Sequence, residues 1–234
     1  MSRKKVIIIF GILLVILAVI FILNSAKNEE IIHDFTNFDA SSYDKLMIVA
    51  HPDDEMLWGG SHLIDENYLV VCITCGGDEA RVKEIKKVLK ETNDGLIMLG
   101  YPDKTNGERD NWNSSKDGIA KDLKNIIALK DWKNIVTHNP FGEYGHIHHK
   151  MTSELVTNNY DNKDKLVYFG VYYSKKKIGS VIEKMPKIEE KNLDKKIEIL
   201  KLYKTQSFIM TAFDHMFEHE DFVTYNDWQM IYSE

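Results

Sequence analysis

Two short motifs in this chain carry residue types that can perform chemistry. The first, Ala50-His51-Pro52-Asp53-Asp54-Glu55, places one imidazole and three carboxylates directly after an apolar run, and the second is His146-Ile147-His148-His149. A histidine with an aspartate three residues later supplies half of a metal site, and a spare carboxylate beside it suits a general base. Because the second motif can complete the ligand set, the pair predicts a metal-dependent hydrolase.

A catalytic zinc ion needs three protein ligands of nitrogen or oxygen type and one open position for water. We expect His51, Asp54 and His149 to be these ligands. Asp53 would then stay unliganded beside the water and act as general base. His146 would stabilise the oxyanion or protonate the leaving amine. Each motif alone has an ordinary explanation, as an acidic helix N-terminus or a polar loop, and only their combination favours a catalytic site.

The elements that must position these motifs alternate between strands and helices. Apolar runs predict strands at residues 46–50, 68–74, 95–100, 135–140 and 166–173, and amphipathic spacing predicts helices at residues 79–91, at 119–129, from 151 onward and at 194–203. Such alternation implies a Rossmann-like α/β fold, with a mostly parallel sheet flanked by helices. The carboxyl ends of its strands face one crevice, which would bring the two motifs together. The Lys-rich stretch 175–196 alternates in charge sign and predicts a solvated face.

The N-terminal segment predicts a membrane anchor. Residues 6–23 carry no polar side chain and are long enough for one transmembrane helix. Basic residues precede this run, so residues 1–5 are expected in the cytoplasm, with a linker at 24–42 and an extracytoplasmic catalytic domain at 43–234. The alternative is a cleaved signal peptide, whose apolar core is usually about 7–15 residues long, and the domain would then be secreted.

Composition argues against two other classes of function. Residues 1–30 contain four of the 30 basic and two of the 36 acidic residues, which leaves 26 against 34 and a formal charge of −8. An acidic domain with scattered lysines offers no footprint for nucleic acid. Cys72 and Cys75 form a CxxC motif, but an extended strand separates their Cα atoms by roughly 10 Å, beyond disulfide reach. We therefore expect buried thiols, although an exported chain could still form the bridge if the strand ends at Ile73.

The motifs also resemble those of a known family. The first motif, followed by Gly59-Gly60, resembles the signature of the PIG-L/LmbE-like deacetylases, and Gly145-His146-Ile147-His148-His149 resembles their HxxH element. Weaker similarities are the Arg81-x-x-Glu84 pattern, the segment Leu99–Asp103 and the late segment Lys201–Gln206, so that the resemblance spans roughly residues 44–207. It implies the same roles for His51, Asp54, His149, Asp53 and His146. Many soluble bacterial relatives have Pro-Asp where this chain has Ile147-His148, which makes His148 a rival ligand to His149.

The resemblance implies a reaction as well as a fold. It indicates a zinc-dependent N-deacetylase, a hydrolase of linear amide bonds, that removes acetyl from an N-acetylglucosamine-containing glycan or glycolipid; Fe²⁺ or Co²⁺ could replace Zn²⁺. An outward-facing site would meet a cell-surface polymer or a lipid-linked saccharide. The alternative is a metal-dependent amidase for an N-acylated non-sugar substrate. Substrate contacts are expected from Asp103, from His138, which could instead support the site, and from Arg81, which could instead pair with Glu84.

Overall fold

A six-stranded sheet organises the part of the chain that the computed structural model describes, which is residue 35 and residues 38–232. The strands are β1 (Lys45–Val49), β2 (Tyr68–Thr74), β3 (Gly95–Tyr101), β6 (Ile135–Thr137), β7 (Leu166–Phe169) and β8 (Phe222–Thr224), and a separate hairpin consists of β4 (Lys104–Thr105) and β5 (Glu108–Arg109). The helices are α1 (Asp54–Asp65), α2 (Glu79–Thr92), α3 (Lys116–Ile127), α4 (Ile147–Asn159), α5 (Glu190–Leu200), α6 (Ser207–Phe213) and α7 (Tyr225–Tyr232). The predicted anchor at residues 6–23 lies outside the described residues. Within the described part, no helix is both long and apolar enough to cross a membrane.

The sheet has the mostly parallel topology that the sequence predicts. Its strand order is β3-β2-β1-β6-β7-β8, and each neighbouring pair is parallel except β7 and β8. Strands β2 and β3 lie on one side of β1, and the chain then crosses to the other side, where β6, β7 and β8 follow. This reversal creates a crevice at the carboxyl ends of β1 and β6, where ligands bind in open α/β sheets.

Helices cover both faces of the sheet, which explains why its central strands are apolar throughout. Successive side chains of a strand point to opposite faces. In β1, Leu46 and Ile48 join the apolar cluster under α3 and α4, whereas Met47 and Val49 join the cluster under α1, α2 and α5. All seven residues of β2 are buried, as expected for a strand covered on both sides. Cys72 is buried in this strand and Cys75 lies just beyond it; both are free thiols.

The prediction of a solvated face at residues 175–196 is wrong at Lys196. Helix α5 begins at Glu190, and the Lys196 side chain is fully buried against Glu220, with Nζ 2.6 Å from Oε1. Lys196 Nζ also donates to the carbonyl oxygens of Leu57, at 2.9 Å, and Phe217, at 3.2 Å. Glu220 in turn accepts hydrogen bonds from the backbone N–H and the hydroxyl of Ser61. A local charge pattern cannot reveal a partner so far along the chain.

The close approach of α1 and α5 depends on Gly60, which lies in α1 five residues after the first motif. A Cβ atom at Gly60 would lie 2.6 Å from Met56 Sδ and 3.1 Å from the methylene stem of Lys196. Gly60 therefore leaves the space that the Lys196 side chain crosses to reach Glu220. The C-terminal residues continue from this contact into β8, which pairs antiparallel with β7 at the edge of the sheet.

We expect Lys196→Met to lower the free energy of unfolding by about 3–5 kcal/mol, because it leaves the Glu220 carboxylate buried without its counter-charge. Chemical denaturation of the purified variants measures this change. Lys196→Met combined with Glu220→Gln should recover most of the loss, and Lys195→Met, at an exposed neighbouring position, serves as the matched control. Equal effects of Lys195→Met and Lys196→Met would contradict the assignment.

Candidate metal centre

The two motifs meet in the crevice at the switch point of the sheet. Strand β1 ends at Val49, directly before the first motif, and β6 ends at Thr137, directly before the loop that leads to the second. Because Ile48 and Thr137 are register partners in neighbouring parallel strands, the segments that follow them emerge side by side. The structure thereby brings His51, Asp53 and Asp54 together with His146 and His149.

Three of the predicted site residues place nitrogen and oxygen donors around one buried point. His51 Nδ1 lies 3.2 Å from Asp54 Oδ2, and His149 Nε2 lies 3.2 Å from Asp54 Oδ1. Although it is close to this carboxylate, His149 Nε2 makes no hydrogen bond of acceptable geometry to any described residue. Buried polar atoms are nearly always hydrogen-bonded, so an exception calls for an explanation. A divalent cation held by two imidazole nitrogens and one carboxylate would provide it, and this donor set fits zinc.

The electric field in the crevice also favours a cation. Burial alone would lower the pKa of His149, but the charges of Asp54 and Glu143 raise it to about 10. Burial alone would raise the pKa of Asp54, but His149 and His138 hold it well below its usual range. These opposite shifts indicate that negative charge from the carboxylates exceeds the positive charge in the site. A bound metal ion would compensate this negative charge in place of protons.

Ligand atoms within 4.8 Å of one another form three overlapping groups in the described part of the chain. They are His51 with His146 and His149, His51 with Asp103 and His148, and Asp54 with His138 and His149. The predicted ligands His51, Asp54 and His149 are spread over the first and third groups and do not constitute one of the three. The hydrogen bonds of the remaining members decide which of them are free to bind a metal.

His138 already uses both of its ring nitrogens. Nε2 accepts the Ala50 N–H at 3.0 Å, and Nδ1 lies 2.9 Å from Glu143 Oε2. The ring is fully buried and stacks on His149, with a centroid distance of 3.9 Å. Of the two roles that the sequence left open for His138, support of the site and contact with substrate, this position favours the first.

Both ring nitrogens of His148 also have neighbours within hydrogen-bond distance. Its Nε2 lies 2.7 Å from the Asp110 carbonyl oxygen, and its ring stacks on Trp112 at a centroid distance of 4.3 Å. Its Nδ1 faces His51 Nε2 at 3.2 Å. These contacts make His148 a support for His51 and favour His149 as the third ligand, which remains a prediction.

His146 is arranged as a hydrogen-bond donor. It is the N-cap of α4, and its Nδ1 accepts the His148 N–H at 3.2 Å, so the proton of the neutral ring lies on Nε2. Burial and the neighbouring His149 and His51 rings lower the pKa of His146 to about 3. A neutral imidazole that presents an N–H can donate to an oxygen as negative charge develops on it.

Asp53 has the features of a general base. Its backbone φ of 144° is outside the regions that non-glycine residues normally adopt, and such strain concentrates at functional sites. Oδ1 accepts from Arg81 at 3.3 Å, whereas the buried Oδ2 has no partner among the described residues. Burial and the adjacent Asp54 raise the pKa of Asp53 well above its usual range, against the opposing effect of Arg81. The unpaired oxygen is therefore ready to take a proton.

Arg81 and Asp103 act within the site in ways that the sequence did not specify. Arg81 donates to Asp53 and, at 2.9 Å, to the Pro52 carbonyl, while Glu84 accepts from Thr205. The alternative of an Arg81–Glu84 pair is therefore wrong. Asp103 Oδ1 lies 3.1 Å from His51 Nε2 and contacts the Arg109 guanidinium. Burial would raise the pKa of Asp103, but hydrogen bonds from His148 and His51 hold it well below its usual range.

Sequence reasoning missed Glu143. Its buried carboxylate lies 2.5 Å from His149 Nδ1 and holds His138 as well. The available signal was a lone glutamate in the loop between two histidine-bearing segments, which resembles any exposed loop residue. Arg109, in the hairpin beside Asp103, was missed because it too resembles an ordinary exposed residue in the sequence.

An aromatic wall stands beside the histidines. Tyr144 lies 5.4 Å from the His149 ring and 5.0 Å from Phe213, measured between centroids, and Trp58 and Tyr172 complete the wall. Tyr144 is 42% exposed, so part of this wall is open to a ligand. Aromatic faces of this kind can pack against the apolar face of a sugar ring.

The sequence is similar to those of known proteins. A sequence model described as "PIG-L: GlcNAc-PI de-N-acetylase" matches residues 46–160. The uncharacterized protein L374 of Acanthamoeba polyphaga mimivirus is 31% identical over 175 residues, which cover 64% of this chain and 75% of that protein.

Solved structures share the fold at low sequence identity. The A40926 pseudoaglycone deacetylase Dbv21 has a TM-score of 0.54 at 15% identity, over 73% of this chain and 85% of its own. A deacetylase from the teicoplanin biosynthesis pathway, solved in complex with bog, has a TM-score of 0.53 at 15% identity, over 71% of this chain and 86% of its own. GalB, the 4-carboxy-2-hydroxymuconate hydratase of Pseudomonas putida, has a TM-score of 0.50 at 13% identity, over 74% and 84%. The fold is thus shared by enzymes of different chemistry. The sequence matches, together with this fold, show that the chain belongs to the PIG-L family.

Proposed function

We propose that this protein is a metal-dependent N-deacetylase that hydrolyses the amide of an N-acetylated amino sugar, with N-acetylglucosamine as the sugar unit. The observation that carries the proposal is the buried Oδ2 of Asp53, which has no partner among the described residues, in the same motif as the donors of His51 and Asp54, which His149 approaches. A base with a free oxygen next to a set of metal ligands is the arrangement that metal-assisted amide hydrolysis requires. Membership in the PIG-L family supports the same reaction class.

His51, Asp54 and His149 would hold the metal, which we propose to be Zn²⁺, with Fe²⁺ or Co²⁺ as possible replacements. When bound, such an ion acts as a Lewis acid and makes a nearby water more acidic. His51 and His149 each direct their second ring nitrogen to a carboxylate, Asp103 and Glu143 respectively. Carboxylates in this position orient metal-binding histidines and fix their tautomers.

The chain's own residues can complete the hydrolysis. Asp53 Oδ2 takes a proton from the attacking water while Arg81 holds Oδ1 in place. The N–H at Nε2 of His146 donates to the carbonyl oxygen as the water oxygen bonds to the carbonyl carbon. Cleavage of the carbon–nitrogen bond then releases acetate and an amine, and the proton taken by Asp53 is available to that amine.

The aromatic wall and the N-terminal sequence support a proposal for the substrate and its location. The exposed face of Tyr144 supports stacking on a sugar ring. We further propose that residues 6–23 anchor the protein in the cell membrane with the catalytic domain outside, where its substrate would be a cell-surface polymer or a lipid-linked saccharide. This part of the proposal rests on the apolar run and its flanking charges.

The primary test measures metal content and acetate release together. We expect the detergent-purified full-length chain to carry about one metal ion and to release acetate from N-acetylglucosamine oligomers, with activity lost to a chelator and restored by Zn²⁺. Absence of bound metal after Zn²⁺ is supplied would overturn the proposal. Bound metal with hydrolysis only of N-acylated non-sugar amides would replace the deacetylase with the amidase alternative.

Removing the proposed base should separate chemistry from metal binding. We expect Asp53→Asn to keep its metal and to lose about 10²–10⁴-fold in kcat, because the amide cannot accept the proton of water. Steady-state kinetics on the metal-loaded variant give this value, with Asp117→Asn on the exposed side of α3 as control. Turnover close to that of the unmodified protein would exclude Asp53 as base.

The two rival histidines make a paired test of the ligand set. We expect His149→Ala to bind Zn²⁺ at least about 100-fold more weakly, whereas His148→Ala, which removes only a supporting contact, should stay within about 10-fold. Competition with a chromophoric chelator measures both affinities. The reverse ranking would transfer the ligand role to His148.

A further inference from the structure

The loop between β6 and α4 is built to deliver one buried carboxylate. Glu143 has a φ of 53°, a left-handed conformation that is costly for a residue other than glycine. Asn139 holds this conformation: its backbone N–H donates to Glu143 Oε1 at 3.0 Å, and its side-chain oxygen accepts the Glu143 N–H at 3.3 Å. The Asn139 amide nitrogen donates to the carbonyl oxygens of Phe169, at 3.2 Å, and Gly170, at 2.9 Å. The loop is thus fixed to the end of β7.

The second carboxylate oxygen of Glu143 serves two histidines at once. Oε2 lies 2.5 Å from His149 Nδ1 and 2.9 Å from His138 Nδ1, and the side chain is fully buried. An ionised carboxylate only accepts hydrogen bonds, so both histidines must carry a proton on Nδ1. His149 Nε2, which faces Asp54, is then the nitrogen on which a metal ion would replace the second proton of the ring.

His138 extends the contact to the first motif. Because its Nδ1 proton points to Glu143, its Nε2 must be an acceptor, and it accepts the N–H of Ala50. The residue that follows Ala50 is the predicted ligand His51. A continuous hydrogen-bonded path therefore runs from the end of β1 through His138 and Glu143 to His149, and it joins the two halves of the metal centre.

We propose that Glu143 is the positioning residue of this centre. It sets the tautomer and orientation of His149 and, through His138, fixes the position of His149 relative to the end of β1. The proposal rests on the metal site of the proposed function. It assigns Glu143 no contact with substrate and no role in proton transfer. Its effect is on how tightly and in what geometry the metal is held.

The test is the metal affinity of Glu143→Gln in the full-length protein. A glutamine at this position can accept through only one of its two terminal atoms, so either Asn139 or the histidine pair loses its acceptor. We expect the Kd for Zn²⁺, from chelator competition, to rise about 10- to 100-fold, which is the usual effect of removing such a carboxylate. The visible spectrum of the Co²⁺-loaded variant should also change. Glu154→Gln, on the exposed side of α4, is the matched control.

The possible outcomes separate this proposal from the proposed function. If the unmodified protein binds Zn²⁺ and Glu143→Gln matches it in affinity and Co²⁺ spectrum, the positioning role is overturned and the metal site stands. If the unmodified protein binds no metal, both fall together. A measurement that needs no variant is the ¹⁵N spectrum of the histidine-labelled, Zn²⁺-loaded protein: a His149 proton on Nδ1 supports the role, and a proton on Nε2 excludes it.

Discussion

Burial of several carboxylates at one point is the constraint that shapes this molecule. Asp53, Asp54, Glu55 and Glu143 are each no more than 6% exposed, and an unpaired buried charge is strongly unfavourable. Each carboxylate therefore needs a donor or a counter-charge from another part of the chain. Arg81 comes from α2, the histidines from the segment around α4, and Tyr203 from the residues after α5. The folded arrangement of these elements brings the donors to the carboxylates and leaves Asp53 Oδ2 without a partner among the described residues.

The same constraint explains how the segment after α5 is attached. Burial raises the pKa of Glu55 to about 7, although the hydroxyl of Tyr203 and the backbone N–H of Asp53 both bind the carboxylate. Thr205 binds Glu84 of α2, so polar pairs rather than apolar contact alone hold the segment after α5 beside the site. Displacement of this segment would leave buried acids without donors, and its position is therefore coupled to the integrity of the crevice.

The sequence was sufficient for the α/β class with its mostly parallel sheet and for the meeting of the two motifs in one crevice. Strand β1 and its motif are local: an apolar run followed by charged residues shows both where a strand ends and what stands at its end. Glu143 and Lys196 could not be assigned in this way, because their identity as buried groups depends on partners that only the tertiary structure supplies. Arg81 illustrates the intermediate case, since its importance was visible while its partner was wrong: helical spacing suggested Glu84, and the crevice offered Asp53. Periodicity records which face of an element is buried, but it does not record which polar groups meet there.

The strained backbone of Asp53 has a consequence for engineering and for natural variation. Glycine would adopt a φ of 144° more easily than any residue with a Cβ atom, so Asp53→Gly would relieve backbone strain in the folded state while it removes the proposed base. Selection for a durable protein and selection for a working enzyme therefore act in opposite directions at position 53. A search for thermostable variants that does not also score turnover would tend to find the inactive ones.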